Sequence, residues 1–311
     1  MNNQILGLHH ITAIADNAKI NHHFYTTVLG LRLVKKTVNF DDPSTYHFYF
    51  GNETGDPGTI LTFFPWEGIG AGKTGTGMAT EIGYAVPAGS FEFWTERFKR
   101  FGVKLGDVSE SFGEQFLPFQ DPDGLNMKLI IPKNNDERKA WETIDVKSDT
   151  ATKGFHSVVL TLKNIKATAE ILTDIFGYRL LGQEGNHYRF VTDVIETASI
   201  VDIIELPGGT HGVSAAGTNH HVAFRVKDEA TQMAFHEKIV SKGLNITPKI
   251  NRDYFYSLYF REPGGVLFEI ATDNPGFATD ETSDALGSGL RLPKQYEAMR
   301  DKIEKVLPAL A

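Results

Sequence analysis

The sequence predicts an α+β protein built from four βαβββ modules, which pair to form two barrels. Residues 7–34 match residues 154–181 without a gap. A second pair of segments, residues 80–128 and 221–269, matches in the same way. Each segment begins with the pattern of a strand, continues with helical spacing and leads into further strands. A module of this kind cannot bury its apolar faces alone, so the four must stack or pair.

Module one contains a helix and four strands. Residues 18–29 have helical spacing and end at Gly30, because glycine readily adopts the conformation that terminates a helix. Gly177 occupies the same position in module three. The strands of module one are expected at residues 8–15, 31–38, 44–51 and 58–65.

The remaining modules follow the same plan. Module two covers about residues 77–132, with a helix at 90–100, Gly102 after it and a last strand at 125–132. Modules three and four end in strands at 198–207 and 265–272. The tail from Asp273 carries a glycine-rich loop and an amphipathic helix at 293–307, which we expect to pack on a barrel. The predicted division of the chain is a module pair at 1–140, a second pair at 150–275, and a tail with its helix at 276–311.

The composition is that of an ordinary globular protein. Of 311 residues, 41% are hydrophobic and 23% are charged, and the length suffices for two cores. No stretch approaches the roughly 20 apolar residues of a membrane span, and the first residues lack a signal-peptide pattern, so we expect a cytoplasmic protein. The net charge of −8 disfavours nucleic acid as a partner, because phosphate binding requires a basic face. The expected partners are small molecules.

A glycine run at residues 68–77, GIGAGKTGTG, resembles a phosphate-binding loop. Such a loop precedes a helix, whose N-terminus binds the phosphate. The segment that follows, MATEIGYAVP, instead has the pattern of a strand. We therefore expect a flexible linker between modules one and two, and we predict no residues that bind an organic cofactor.

One set of metal-ligand residue types occupies repeat positions whose counterparts are poor ligands. The three pairs, with the ligand type first, are His10 and Ser157, His221 and Thr80, and Glu269 and Lys128. Because the sequence has no cysteine, any metal must use nitrogen and oxygen ligands. Two imidazoles and one carboxylate form the facial triad of non-haem Fe(II), which leaves positions open for substrate and dioxygen. A single such histidine is more often an ordinary core residue, but three at homologous positions favour a metal site.

Glu269 lies in an apolar strand, VLFEIAT, where an ionised carboxylate needs a cation or a hydrogen-bond partner. A metal held by His10 and His221 would provide one, and a salt bridge with Arg252 or Arg225 is the structural alternative. The other histidines are expected to have ordinary roles, on burial statistics. They include His22, His23, His47, His187, His211 and His236.

An aromatic segment, NRDYFYSLYFRE at residues 251–262, precedes the strand of Glu269. Its aromatic residues, together with Arg252, would suit a planar, acidic phenol. Strands rich in aromatic residues are also common in plain cores. The segment alone therefore leaves the roles of Arg252 and Tyr259 open.

Three motifs together resemble the vicinal oxygen chelate superfamily: LHHIT near the N-terminus, NHHVAF at 219–224, and RDYFYSLYFREPGGVLFEIATDNPGF at 252–277. More narrowly, they resemble its hydroquinone ring-cleaving dioxygenases, including the methylhydroquinone-resistance and dichlorohydroquinone enzymes. The resemblance covers essentially the whole chain. It implies Fe(II) held by His10, His221 and Glu269. It also implies that four residues lie around the substrate: His9, His220, Arg252 and Tyr259.

Two geometric expectations follow from these residues. Strict alternation along a strand would turn His9 and His220 away from the metal, so a bulge or loop is needed to bring them near. In addition, His10 belongs to module one and Glu269 to module four, so these modules must share the metal-bearing barrel. Pairing modules one with two and three with four would require a domain-swapped dimer.

The resulting hypothesis is an Fe(II)-dependent, extradiol-type ring-cleaving dioxygenase that opens a hydroquinone next to a hydroxyl-bearing carbon. Its partners would be a small aromatic substrate and dioxygen, with manganese as the alternative metal and self-association left open. Two other functions remain on the same fold. A glyoxalase-type isomerase or transferase would want a second carboxylate, where module one offers Thr62. A quinone- or drug-binding protein would need no catalysis.

Overall fold

The structure, a computed structural model, describes residues 3–310 and contains two eight-stranded sheets, each curled into a half-barrel. In chain order the strands are β1 (Leu8–Ala15), β2 (Arg32–Val38), β3 (Tyr46–Gly51), β4 (Ile60–Pro65), β5 (Met78–Ala85), β6 (Ser109–Ser111), β7 (Glu114–Gln120), β8 (Asn126–Ile130), β9 (Gly154–Leu162), β10 (Arg179–Glu184), β11 (His187–Val191), β12 (Ile200–Glu205), β13 (Thr218–Val226), β14 (Ile250–Asn251), β15 (Phe255–Arg261) and β16 (Leu267–Pro275). The first sheet has the order β14-β15-β16-β13-β1-β4-β3-β2, and the second has the order β10-β11-β12-β9-β5-β8-β7-β6.

The pairing of the central strands decides which modules share a barrel. Strand β1 runs antiparallel to β13, which joins modules one and four in the first sheet. Strand β5 runs antiparallel to β9, which joins modules two and three in the second. The predicted α+β fold and the predicted pairing of modules one and four are thus confirmed within a single chain.

All the helices except the last contribute side chains to one large apolar cluster, which they form together with the sheets. In chain order they are α1 (Ala18–His23), α2 (Phe91–Arg100), α3 (Lys166–Glu170), α4 (Glu229–Ser241) and α5 (Arg300–Val306). Both α1 and α3 continue into a π-helical turn, Phe24–Val28 and Ile171–Ile175 respectively. The helix expected at 18–29 is therefore present but less regular than predicted. No helix within residues 3–310 is long and apolar enough to cross a membrane.

The glycine run between β4 and β5 is a linker, as predicted, but it is not a free loop. Its backbone forms bridges with the corresponding linker between β12 and β13, including Ala71 with Ala216 and Lys73 with Val213. At Gly75 a Cβ atom would lie 2.5 Å from the carbonyl oxygen of Thr210. Glycine is required there because the two linkers approach so closely.

The tail packs against the first sheet, as expected. A 3₁₀ segment, Lys294–Met299, precedes α5, so the expected single helix at 293–307 is divided. Ile303 lies in a small apolar cluster with Val38 of β2. Nearer the start of the tail, Phe277 stacks on Tyr254 with ring centroids 5.1 Å apart. The division of the chain at 1–140, 150–275 and 276–311 stays a prediction.

Candidate metal centre

Three side chains of metal-ligand type, from three neighbouring strands, converge inside the first half-barrel. The His10 Nε2 atom on β1 lies 3.3 Å from His221 Nε2 on β13 and 3.2 Å from Glu269 Oε2 on β16. The His221 Nε2 atom lies 3.0 Å from the same carboxylate oxygen. All three residues are buried. Within residues 3–310 this is the one group of three His, Asp or Glu side chains close enough to hold a metal ion.

The surroundings of Glu269 fit a bound cation. Its Oε1 atom accepts a hydrogen bond from Ser257 Oγ at 2.5 Å, whereas Oε2 has no hydrogen-bond partner in the described part of the chain. Arg225, one alternative partner, binds Asp273 instead at 2.6 Å. Neighbouring ligand atoms around an ion are about 3 Å apart when each lies about 2.1 Å from it, which matches the observed spacing. Imidazole nitrogens exclude a typical calcium or magnesium site and suit a transition metal.

The charge states also favour metal binding. Burial alone would raise the pKa of Glu269, but the neighbouring His10 and His221 outweigh it and hold the pKa well below its usual value. Burial lowers the pKa of His221, with partial opposition from Glu269. The cluster therefore offers an ionised carboxylate and a neutral imidazole, which are the forms that bind metal.

The neighbouring histidine His9 fixes the tautomer of His10. His9 Nε2 lies 3.1 Å from the carbonyl oxygen of Thr272, which can only accept, so this nitrogen carries the proton. His9 Nδ1 must then accept the hydrogen bond from His10 Nδ1, 2.9 Å away. This arrangement leaves the lone pair of His10 on Nε2, the atom that faces the cluster.

His220 stands in the same relation to His221, with their Nδ1 atoms 2.8 Å apart. Burial, followed by the charge of His221, lowers the pKa of His220 to about 3, so the ring is neutral. In the pairing of β1 with β13, Leu8 pairs with Phe224 and His10 with Ala223, which leaves His9 unpaired. His220 is likewise skipped between His221 and Asn219. Two β-bulges thus bring both residues beside the cluster, where strict alternation would have turned them away.

Arg252 and Tyr259 lie on the open side of the cluster, where a cavity of about 460 Å³ reaches His10 and His221. Tyr259 pairs with Glu269 between β15 and β16, and its ring lies 5.6 Å from that of His221. The Arg252 guanidinium lies 5.4 Å from the centre of the Tyr259 ring. Burial, followed by the charge of Glu269, raises the pKa of Tyr259, so its hydroxyl stays protonated. The aromatic residues that line the cavity are Phe40, Tyr49, Phe64, Trp66, Phe255 and Tyr259.

Comparison with known proteins shows which family the chain belongs to. The model of the Glyoxalase/Bleomycin resistance protein/Dioxygenase superfamily matches residues 7–129 and 154–270. The chain belongs to this superfamily. The resemblance to the vicinal oxygen chelate superfamily inferred from the sequence is thereby confirmed.

Relatives within the superfamily include ring-cleaving dioxygenases. MhqO of Bacillus subtilis strain 168, named as a ring-cleaving dioxygenase, is 45% identical over 309 residues, which cover 99% of this chain and 97% of MhqO. The chlorohydroquinone/hydroquinone 1,2-dioxygenase of Sphingobium indicum is 33% identical over 98% of this chain and 96% of its own length. A crystal structure of a Bacillus subtilis protein has a TM-score of 0.95 at 43% identity, covering 99% of this chain and 98% of that one.

Glyoxalase I from Zea mays shares the fold of this superfamily member, with a TM-score of 0.64 at 15% identity over 86% of this chain and 92% of the maize chain. A glyoxalase-type site would want a second carboxylate among its ligands. At the corresponding place on β4 the superfamily member carries Thr62, which pairs with Thr12 of β1. Within residues 3–310 its candidate metal centre therefore consists of three side chains of metal-ligand type.

The sequence reasoning missed a chain of hydrogen bonds that begins at the cluster. Thr12 Oγ1 lies 2.8 Å from His221 Nε2 and 2.7 Å from Thr62 Oγ1. His47 Nε2 lies 3.0 Å from Thr62 Oγ1, and the Tyr49 hydroxyl lies 2.9 Å from His47 Nδ1. One set of proton positions satisfies these four contacts. In it the Tyr49 hydroxyl donates to His47, His47 donates to Thr62, Thr62 donates to Thr12, and Thr12 donates to His221. His47, expected from the sequence to be an ordinary histidine, is part of this chain of hydrogen bonds and also lines the cavity.

The second half-barrel carries the repeat counterparts of the proposed ligands, and they form no cluster. Lys128, the counterpart of Glu269, pairs with Glu81 at 2.7 Å. Thr80, the counterpart of His221, contacts Thr161 with their hydroxyl oxygens 2.8 Å apart. A lysine ammonium at this place repels a metal cation. The difference between the two sets of repeat positions that the sequence shows is therefore also present in the structure.

Proposed function

We propose that this superfamily member is a ring-cleaving dioxygenase that acts on hydroquinone-type aromatics with ferrous iron held by His10, His221 and Glu269. The observation that carries the proposal is the buried carboxylate oxygen of Glu269, which faces two imidazole nitrogens at the end of an aromatic cavity. The names of its ring-cleaving relatives support the same reaction class. Ferrous iron bound there would supply Lewis acidity for a phenol and a redox partner for dioxygen.

The cavity itself explains how a flat ring would be bound. Its volume of about 460 Å³ lies in the range typical of small-molecule sites, and aromatic side chains form most of its apolar wall. Phe255 packs against the rings of both His9 and His10, with centroids 5.2 and 4.9 Å apart. A planar substrate would be held between such rings and shielded from water, which strengthens polar contacts at the reacting carbon.

His220 is suited to hold a proton for the reaction. Because its Nδ1 atom accepts from His221, its own proton resides on Nε2. His220 also lines the cavity. A neutral imidazole with its N–H available can donate to oxygen atoms of the substrate or of dioxygen as charge develops on them.

Tyr259 and Arg252 are suited to orient the substrate. Both line the cavity, and the hydroxyl of Tyr259 remains protonated beside the guanidinium. A protonated phenol and a fixed cation stabilise an oxyanion on a ring carbon without changing their own protonation. We propose that they orient the ring beside the metal that His10, His221 and Glu269 would hold.

The test is oxygen uptake by iron-reconstituted protein with 2-methylhydroquinone, followed together with the ring-opened product in the ultraviolet. Glu269→Gln should lower turnover by more than the roughly 100-fold that loss of an outer-shell partner costs. Glu81→Gln, on the metal-free half-barrel, should leave it unchanged. Wild-type protein that binds iron and the hydroquinone but consumes no oxygen would contradict the proposal and would favour a binding protein.

A further inference from the structure

A second cavity, of about 560 Å³, lies on the half-barrel that has no metal-ligand cluster. It is as large as the cavity beside the metal centre and lies within the range typical of small-molecule sites. Its floor is formed by Glu114 of β7, His156 of β9 and Arg189 of β11. The proposed dioxygenase reaction uses none of these residues.

The floor contains a buried polar atom that lacks a partner. His156 is 7% exposed and its Nε2 atom lies 3.2 Å from Glu114 Oε1, so Nε2 carries the proton that Glu114 accepts. The other ring nitrogen, Nδ1, is buried and has no hydrogen-bond partner within residues 3–310. Such an acceptor would be satisfied by a ligand that donates a hydrogen bond.

The same cavity has an aromatic side chain in its wall. Phe112, at the turn between β6 and β7, has a φ of 51°, a conformation that is costly for a bulky residue. Its ring lies over the Arg189 guanidinium at 4.4 Å and against the ring of His187 at 5.0 Å. Strained aromatic residues of this kind are concentrated at ligand sites, and Phe112 gives the cavity a flat, rigid side.

The charged groups on the floor of the cavity form ion pairs. Arg189 Nη1 binds Glu114 Oε2 at 2.5 Å, and Arg189 Nε binds Asp202 Oδ1 at 2.8 Å. Arg138 binds Asp136 with Nη2 and Oδ2 2.6 Å apart. Three further charged residues, Lys133, Glu184 and Glu196, line the cavity away from this floor. Because the carboxylate and guanidinium of the floor are paired with each other, the floor attracts neither a polyanion nor a metal ion. An uncharged ligand remains.

We propose that this cavity is a second binding site, specific for an uncharged phenol whose hydroxyl donates to His156 Nδ1 and whose ring packs against Phe112. The site requires no metal. It would let the protein hold an aromatic molecule at a place distinct from the candidate metal centre. The proposal stands whether or not the metal centre performs ring cleavage.

The test is equilibrium dialysis of the full-length protein against 4-fluorophenol, with bound probe counted by fluorine NMR. Gly182→Phe is the blocking variant, because Gly182 lines the cavity and a Cβ there meets its nearest atoms only at 3.9 Å, on the Phe112 ring. Gly208→Phe is the matched control, because nothing lies within 4 Å of a Cβ at that exposed position. Thermal melting of both variants checks that each remains folded.

Wild-type protein and Gly208→Phe should bind one equivalent more than Gly182→Phe, and a chelator should not remove this difference. If the three proteins bind equally, the site is not in this cavity and the proposal is overturned. A second probe tests the contact with His156 in the wild-type protein, without a variant. The ether 4-fluoroanisole lacks the hydroxyl proton and should bind to this site roughly tenfold more weakly. Equal binding of the ether and the phenol would refute the proposed contact with His156.

Discussion

The Nδ1 atoms of His220 and His221 lie 2.8 Å apart, and the pair His9 and His10 repeats this contact at 2.9 Å. In each pair the bulged residue accepts the hydrogen bond from Nδ1 of the proposed ligand, so the Nε2 atom of that ligand carries no proton. The two pairs end differently. His9 is anchored on the backbone carbonyl of Thr272, whereas His220 lines the cavity. The first pair is thus suited to holding a ligand in place and the second to contacting the substrate.

Replacement of His9 by Phe should weaken metal binding. The ring volume is kept, but His10 loses the acceptor that fixes its tautomer, and loss of such a partner typically costs 10–100-fold in metal affinity. Competition with a chromophoric chelator measures the dissociation constant. His23→Phe, at an exposed helical position, is the control. An affinity within twofold of wild type for His9→Phe would show that the contact does not orient His10.

Replacement of Thr62 by Glu should add a fourth ligand. Thr62 is joined to the cluster through Thr12, so a carboxylate there can reach a metal held by His221. Metal should bind more tightly, while oxygen uptake should fall at least about tenfold because an open coordination position is lost. Thr62→Val, which only removes the hydroxyl, separates this effect from loss of the hydrogen-bond chain. Tighter binding with undiminished oxygen uptake would contradict the expectation.

Replacement of Tyr259 by Phe should lower turnover more than it raises KM. The hydroxyl is proposed to stabilise charge that develops on the substrate, and removal of one such donor typically costs about 100-fold in kcat. Tyr256→Phe is a matched control three residues earlier, where the ring lies 5.0 Å from the Lys249 ammonium, outside the residues that line the cavity. Steady-state kinetics under saturating oxygen distinguish the two parameters. A rise in KM alone would assign Tyr259 to ground-state binding.

Removal of the metal should destabilise the protein. Without an ion, the buried Glu269 carboxylate keeps only Ser257 as a hydrogen-bond donor to Oε1. A ligand that binds only the folded state contributes about 2.7 kcal/mol at 100 times its Kd, so chelation should lower the Tm by roughly 5 °C. Glu269→Gln should show no such response, and scanning calorimetry with and without chelator provides the comparison. An equal response in Glu269→Gln would place the metal elsewhere.

The carboxyl of Asp121 should make stability depend on pH. Burial is the main cause that raises its pKa from 3.8 to about 7, and its Oδ2 accepts from the Tyr25 hydroxyl at 2.9 Å. Between pH 4 and 7 the folded state holds a proton that the unfolded state releases, so stability falls as the pH rises through this range. Asp121→Asn lacks this proton. The difference between the Tm of Asp121→Asn and the Tm of the wild type should therefore shift in favour of the variant by about 5 °C between pH 4 and pH 8. Exposed Asp107→Asn should show a constant difference, and a constant difference for Asp121→Asn would contradict the assignment.

The fold could be predicted because the repeats align without gaps. In addition, at each of three pairs of repeat positions only one member is a residue of metal-ligand type. If His10 in module one and Glu269 in module four bind one metal within a single chain, these modules must share a barrel, and the sheet order confirms this pairing over the domain-swapped alternative. The bulges at His9 and His220 could not be derived from alternation, because a bulge depends on how two distant strands align. Only the resemblance to known dioxygenases pointed to these residues.

His47 and Thr12 were missed for a related reason. His47 and Tyr49 alternate onto one face of β3, which the sequence does show, but that face borders the metal cluster only because β3, β4 and β1 are adjacent in the sheet. The π-helical turns and the divided tail helix were also missed. Periodicity detects a helix but does not register one extra residue per turn or a change to 3₁₀ geometry.

The order of the strands has a consequence for how the protein is made. The second sheet contains only β5 to β12, so its last strand ends at Glu205, whereas the first sheet needs β13 to β16 and is complete only at Pro275. During synthesis, strand β1 leaves the ribosome first, yet its neighbour β13 follows some 200 residues later. The second half-barrel can therefore form on the nascent chain before the first is complete. Until β13 is made, the edge of β1 that pairs with it stays unpaired and accessible to chaperones or to aggregation.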